Sequence, residues 1–296
     1  MSTDFLNLQG ELRFNEPLAK YTSWRVGGTA RQLYRPTDKT DLALFLSQLP
    51  VAEPLLWLGL GSNLLVRDGG FAGTVIATAG ILQDFNVKTT LIDAEVGVYC
   101  SKLAKQAARA GLAGAAFLAG IPGTLGGALA MNAGCHGTET WSLISQVTTI
   151  DRQGQFHHRT PAEFKVSYRH VELPAEEWFV SAILNLKAGD KAHETAEIKS
   201  LLKRRNETQP TNQPCAGSVF RNPDNDFAGR LIEVSGLKGL TIGGAAISEK
   251  HANFIVNTGD ASAADIEALI FLVQQKIELE HGVLLQPEVH IVGEVA

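Results

Sequence analysis

Residues 110–138 read AGLAGAAFLAGIPGTLGGALAMNAGCHGT, without one Asp, Glu, Lys or Arg. A bilayer span needs about 20 largely apolar residues, so length alone would allow this stretch to cross a membrane. Its composition argues otherwise. Gly111, Gly114, Gly120, Pro122, Gly123, Gly126, Gly127 and Gly134 interrupt it, and its side chains are mostly Ala and Gly. A helix with so many breakers is poor, and small side chains gain little from lipid. The stretch therefore reads as a buried, backbone-exposing loop of a soluble protein, with no membrane insertion.

The flanks alternate between strand and helix. Leu42, Phe45, Leu46 and Leu49 fall at helical spacing behind the cap signals Thr37 and Asp38. The apolar run Leu55–Leu58 is a short buried strand ending at Gly59, and 64–66, 74–77 and 91–98 read as further strands. Ser101 to Ala110 is helical, with Gly111 as its terminator. Beyond the glycine-rich stretch, strands return at 146–150, 156–159 and 179–186, followed by a polar helix over 194–205. Asn206 to Pro214 holds two prolines among polar residues and reads as a linker. Near the end, Ser262 and Asp265 form a capping-box pattern. Ile266, Leu269, Ile270, Val273 and Ile277 then make one apolar stripe, which Gly282 closes.

Composition bounds the rest. The chain has 296 residues, 45% of them hydrophobic and 19% charged. That length is enough for about two domains. Its 29 glycines, about one residue in ten against an ordinary ~7%, mark close turns and close backbone approaches. The net charge of −5 gives no positive field to hold nucleic acid. The basic run Lys203-Arg204-Arg205 reads as a solvated helix face. Cys100, Cys135 and Cys215 are odd in number and lack C-x-x-C spacing, which suits neither a disulfide framework nor a zinc site and points to a reducing cytoplasm. Met1 to Leu12 carries Asp4 and Glu11 and no apolar run, unlike a signal peptide.

Four motifs can carry chemistry. Gly59-Leu60-Gly61-Ser62-Asn63-Leu64 follows a buried strand and offers main-chain N–H groups and polar side chains suited to a pyrophosphate. It serves equally as a plain strand–turn–strand, and it is not the G-x-G-x-x-G fingerprint. Gly120-Ile121-Pro122-Gly123-Thr124-Leu125-Gly126-Gly127, continuing to Asn132, offers a small, uncharged surface for a flat ring system and its phosphates, or for tight core packing. In Gly217-Ser218-Val219-Phe220-Arg221-Asn222-Pro223 the serine can be a cap, a turn residue or a proton donor, but it lacks the G-x-S-x-G elbow of a hydrolase. In Leu284 to Val292, Gln286, Glu288 and His290 line one face, which a solvated edge strand would also present. Tyr168-Arg169 reads equally as a surface pair.

Taken in order, these motifs resemble one family, the UDP-N-acetylenolpyruvoylglucosamine reductases (MurB), flavoenzymes of early peptidoglycan synthesis. The matching pieces are 22–28, 59–64, 121–127 with 132–134, 166–169, 217–223, 251–257 and 287–293, and they cover nearly the whole chain. The resemblance implies an α+β fold. Residues 1–84 and 85–205 would be the two FAD-binding subdomains of the vanillyl-alcohol-oxidase/PCMH type, and 206–296 a C-terminal α+β substrate-binding domain. At this length the chain looks like the compact subtype without a tyrosine-bearing lid.

The implied reaction uses NADPH to reduce FAD. Flavin N5 then passes hydride to C3 of the enolpyruvyl ether of the UDP-sugar, giving UDP-N-acetylmuramate. By motif match, Gly59, Gly61, Ser62, Asn63, Leu64, Gly120, Ile121, Pro122, Gly123, Thr124, Gly126, Gly127 and Asn132 fall on FAD contacts. Ser218 corresponds to the proton donor to C2, and Arg169 and Glu288 to the pair stabilising the enolic intermediate. Tyr168, Arg221, Asn222 and His251 fall on substrate contacts, and no metal is implied. A guanidinium pairs with a carboxylate bidentately and keeps its charge, which suits Arg169. An ionised Glu288 beside a developing dianion would be repulsive, so Glu288 is expected to carry a proton or to act through a donor. Two other classes remain open to the motifs: another FAD-dependent sugar or alcohol oxidoreductase of the same fold, and a non-catalytic nucleotide-binding protein.

Overall fold

Local signals in the sequence become elements where tertiary partners complete them. In the computed structural model, which describes residues 5–296, Asp38 caps the helix Lys39–Gln48 by accepting the N–H of Asp41. Met1 to Asp4, including the Asp4 used against a signal peptide, lie outside the described residues. The strands Leu55–Leu58, Leu64–Val66 and Phe156–Arg159 stand where the apolar runs place them. Two strands, Glu11–Pro17 and Thr29–Arg35, form from segments with no clear alternation. They exist because Phe71–Ala77 and Leu55–Leu58 complete one four-stranded sheet with them.

The chain divides into two compact units. The first comprises the residues up to Phe14, Gln32–Leu60 and Gly73–Lys203. Its antiparallel five-stranded sheet runs Phe156–Arg159, Ile144–Asp151, Glu177–Asn185, Leu91–Glu95, Phe85–Lys88. The helix Cys100–Arg109 buries Leu103, Ala104, Ala107 and Ala108 in the same core. Trp141, Phe164 and Phe179 pack ring against ring there.

The glycine-rich stretch departs from the expected loop. It holds a 3-10 turn at Ala116–Gly120 and a short helix at Leu125–Ala130, with Thr124 capping the latter. Two glycines inside a helix cost about 1 kcal/mol each. The strand end beside them compensates: Leu125 N donates to Val98 O and Gly126 N to Val96 O. Only glycine fits at 126, where a Cβ would come 2.9 Å from that of Val96. No helix among the described residues is long and apolar enough to cross a membrane.

The second unit comprises Asn15–Arg31, Gly61–Ala72 and Arg204–Ala296. Its core gathers Trp24, Leu65, Phe220 and the whole predicted stripe of the helix Ala263–His281. The capping box forms between Ser262 and Asp265, and Gly282 closes the helix at φ +67. Asp68 accepts the next two N–H groups, of Ala263 and Ala264, so the first turn leaves few donors unmet. The polar helix runs Lys191–Thr208, three residues past its expected end. Thr208 Oγ1 bonds back to Arg204 O, and Arg205 Nε donates to Gln209, before Pro210 breaks the chain.

Candidate functional site

In the first unit Gly59 meets the second glycine motif at Thr124. A Cβ on Gly59 would lie 2.6 Å from Thr124 Oγ1, so the turn after the buried strand can approach the capped helix only as glycine. Thr124 is buried and holds Gly127 N through its hydroxyl and Ala128 N through its carbonyl. Gly123 O accepts Cys100 N, so the Ile121 to Thr124 segment is tied to a second helix. The turn itself uses its carbonyls inside the protein: Gly61 O, Ser62 O and Asn63 O accept from Ser23, Gly217 and His290. Among the described residues, the N–H groups of Leu60, Gly61 and Ser62 have no such acceptor. Successive N–H groups left in this way suit a pyrophosphate, and in the first unit the small uncharged surface beside Gly59 and Thr124 suits a flat ring, so each set of residues fits a part of FAD.

Arg169 also belongs to the first unit. The strands Lys165–Ser167 and His170–Glu172 pair with Ser167 opposite His170, which leaves Tyr168 and Arg169 as a two-residue turn. Arg169 has φ +55 there. Left-handed backbone costs a residue with a Cβ roughly 1–2 kcal/mol. The side chain is held firmly in return. Nη2 donates to Gly134 O at 2.7 Å, Nη1 reaches Asn132 O at 3.4 Å, and the guanidinium lies 4.8 Å from the Tyr168 ring centre. Tyr168 is otherwise exposed. Asn132, which the sequence pattern assigns to the cofactor, is buried, and its amide bonds Glu139, Ser167 O and Trp141 N.

Ser218 and Glu288 lie in the second unit on neighbouring extended segments. Val219 O accepts Glu288 N at 2.7 Å, and Phe220 and Pro287 form a bridge. The Ser62-Asn63 turn touches both segments: Ser62 O accepts Gly217 N, and Asn63 Nδ2 donates to Glu288 O at 3.0 Å. Asn253 clamps the serine segment. Its side chain accepts Phe220 N and donates to Phe220 O, while its carbonyl accepts Val219 N. Asn253 lies within the motif 251–257, and nothing in its local sequence marks it as this clamp.

The remaining expected contacts have structural duties as well. Asn222 Oδ1 accepts Ala228 N, starting the helix Ala228–Val234. Arg221 is half-buried and its N–H bonds Gln286 O. His251 packs edge-on against Phe254, and its Nδ1 accepts Asn253 N. Burial, and then the charge of Lys238, hold the His251 imidazole below its usual pKa of 6.5. Unfolded imidazole takes its proton first, so the stability tied to His251 is present above pH 6.5 and is lost as the pH falls below it. Melting curves between pH 8 and 5.5 should therefore fall less steeply for His251→Gln than for the parent. Burial pushes the Cys100 thiol up to about 12 and raises Cys215, so neither is poised as a thiolate nucleophile.

Known proteins resemble this chain along nearly its whole length. Residues 30–160 match a family model described as an FAD binding domain. Residues 209–292 match one described as the UDP-N-acetylenolpyruvoylglucosamine reductase C-terminal domain. A UDP-N-acetylenolpyruvoylglucosamine reductase of Alkalilimnicola ehrlichii is 59% identical over 285 residues, covering 96% of each chain. The protein of that name from Legionella pneumophila (strain Corby) is 58% identical, over 97% of this chain and 94% of its own. The crystal structure of the Thermus caldophilus enzyme superposes with a TM-score of 0.82 at 34% identity, covering 96% of this chain and 99% of its own. With relatives this similar along nearly its whole length, and with both halves matched by their own models, the chain belongs to the UDP-N-acetylenolpyruvoylglucosamine reductase family.

Proposed function

We propose that this chain reduces the enolpyruvyl ether of UDP-N-acetylglucosamine enolpyruvate to UDP-N-acetylmuramate, with NADPH as reductant, as a step of cytoplasmic peptidoglycan precursor synthesis. Residues 1–84 and 85–205 serve as the FAD-binding subdomains and 206–296 as the substrate-binding domain. Bound FAD supplies the hydride chemistry that no amino-acid side chain can provide. The chain's own task is to hold the flavin, to stabilise charge and to deliver one proton.

Net reduction places a hydride on C3 and a proton on C2 of the ether. Charge builds at C2 and spreads into the adjoining carboxylate. In this reading Arg169 faces that carboxylate as a permanently charged guanidinium, already anchored on Gly134 O. Ser218 Oγ carries the proton for C2. Glu288 assists as a protonated or donor-linked carboxyl, because a bare carboxylate would oppose the charge. Tyr168, Arg221, Asn222 and His251 contribute substrate contacts. The observation that carries the reading is the 2.7 Å bond from Glu288 N to Val219 O, which sets the backbone of Glu288 beside the serine segment.

The purified protein should be yellow and should oxidise NADPH only when the enolpyruvyl UDP-sugar is present. Rapid NADPH or sugar oxidation by oxygen alone would make it an oxidase of the same fold. A colourless protein unable to take up FAD would make it a non-catalytic nucleotide binder.

A further inference from the structure

We propose that Glu139, acting with Asn132, is a positioning residue for Arg169. The inference rests on the role given to Arg169 above and adds the residues that fix its guanidinium before substrate arrives.

Three observations converge. First, the hairpin turn asks for a different residue. Ser167 pairs with His170, and of the two residues between them Arg169 alone has positive φ. Positive φ at the second turn residue alone is the sign pattern of a type II turn, which favours glycine or asparagine at this position and does not follow the natural twist of a hairpin. A strained arginine at such a turn points to function. Second, one buried amide organises the surroundings. Asn132, itself left-handed at φ +42, donates from Nδ2 to Ser167 O at 3.2 Å and to Glu139 Oε2 at 2.8 Å. Its Oδ1 accepts Trp141 N, and the Trp141 indole is anchored in turn on Leu129 O. The turn, the glutamate and the core are thus joined through one side chain. Third, the carboxylate held by Asn132 is shared: Glu139 Oε1 lies 3.9 Å from Arg169 Nη1.

The consequence follows from the flexibility of arginine. A long side chain loses rotamer freedom when it grips a ligand, and a guanidinium already fixed has less to lose. Gly134 O and Asn132 O orient the fork by hydrogen bonds, and Glu139 adds a charge that keeps it there. Glu139 does not itself face the substrate in this scheme. It acts through Arg169.

Glu139→Gln keeps the size of the side chain and an oxygen for Asn132 while removing the charge. It should bind FAD, melt with the parent and be reduced by NADPH at the parental rate. Its reoxidation by the enolpyruvyl UDP-sugar should slow about tenfold, within the coupling seen between members of one network. The substrate-induced change in the oxidised flavin spectrum should need correspondingly more sugar. Glu139→Asp, which keeps the charge, should recover most of the rate. In an Arg169→Lys background, Glu139→Gln should cost little further.

Loss of melting temperature together with both half-reactions would make Glu139 merely structural, and losses that multiply in the double variant would separate it from Arg169. Either result overturns the proposal. So does a parental Glu139→Gln beside a crippled Arg169→Lys, which leaves the role of Arg169 standing. A parental Arg169→Lys would instead remove the role of Arg169 itself, and this proposal with it.

Discussion

Ser218→Ala should be reduced by NADPH as fast as the parent, yet its reoxidation by the enolpyruvyl UDP-sugar should fall by about 10²–10⁴-fold, the usual worth of a positioned proton donor. The two half-reactions part because reduction of the flavin asks nothing of Ser218, whereas C2 must gain a proton. The fold should not suffer. The Ser218 hydroxyl has no hydrogen-bond partner among the described residues, and the segment is held by main-chain bonds and by the Asn253 clamp. Stopped-flow absorbance of the flavin separates the steps directly. Equal loss in both would mean that Ser218 shapes the flavin site, and the assigned role would fall.

Gly61→Ala should be the most damaging conservative change in the turn 59–64, which is proposed to hold the cofactor. Gly61 has φ +58, and a Cβ there would lie 2.2 Å from Tyr21 O and 2.9 Å from Thr22 Cα. Both obstacles are backbone, and Ser23 N–H to Gly61 O ties the same segments together, so neither can withdraw cheaply. Left-handed strain and overpacking together should cost about 2–5 kcal/mol. The variant should melt markedly lower and lose its yellow colour on gel filtration. Gly217→Ala makes the matched control, since a Cβ there meets nothing within 4 Å. Its melting temperature should stay near the parent's. A Gly61→Ala protein of parental stability and colour would show that the turn does not need glycine there.

Much of this molecule is legible from local sequence. The helix Ala263–His281 could be drawn with its cap, stripe and terminator, because each signal acts within a few residues. The strand before Gly59 was equally plain. The short helix Leu125–Ala130 was not, since its glycines oppose helix and only the acceptors on Val96 and Val98 rescue it. Asn132 shows the same limit for the site. Its place in an N-A-G motif suggested a cofactor contact, while its bonds to Glu139, Ser167 and Trp141 can be seen only once the chain has folded.

The sequence by itself determined the class of fold, the glycine turns and, through the order of its motifs, the family and its flavin. These depend on backbone freedom, periodicity and residue type, which are local. Tertiary structure alone decided which distant groups become neighbours. It set Gly59 against Thr124, and it placed Glu288 beside the serine segment. It also put the Glu139 carboxylate 3.9 Å from the guanidinium of an arginine in a turn that favours glycine. Those pairings come from core burial and from main-chain bonds between segments far apart in the chain, and no run of adjacent residues encodes them.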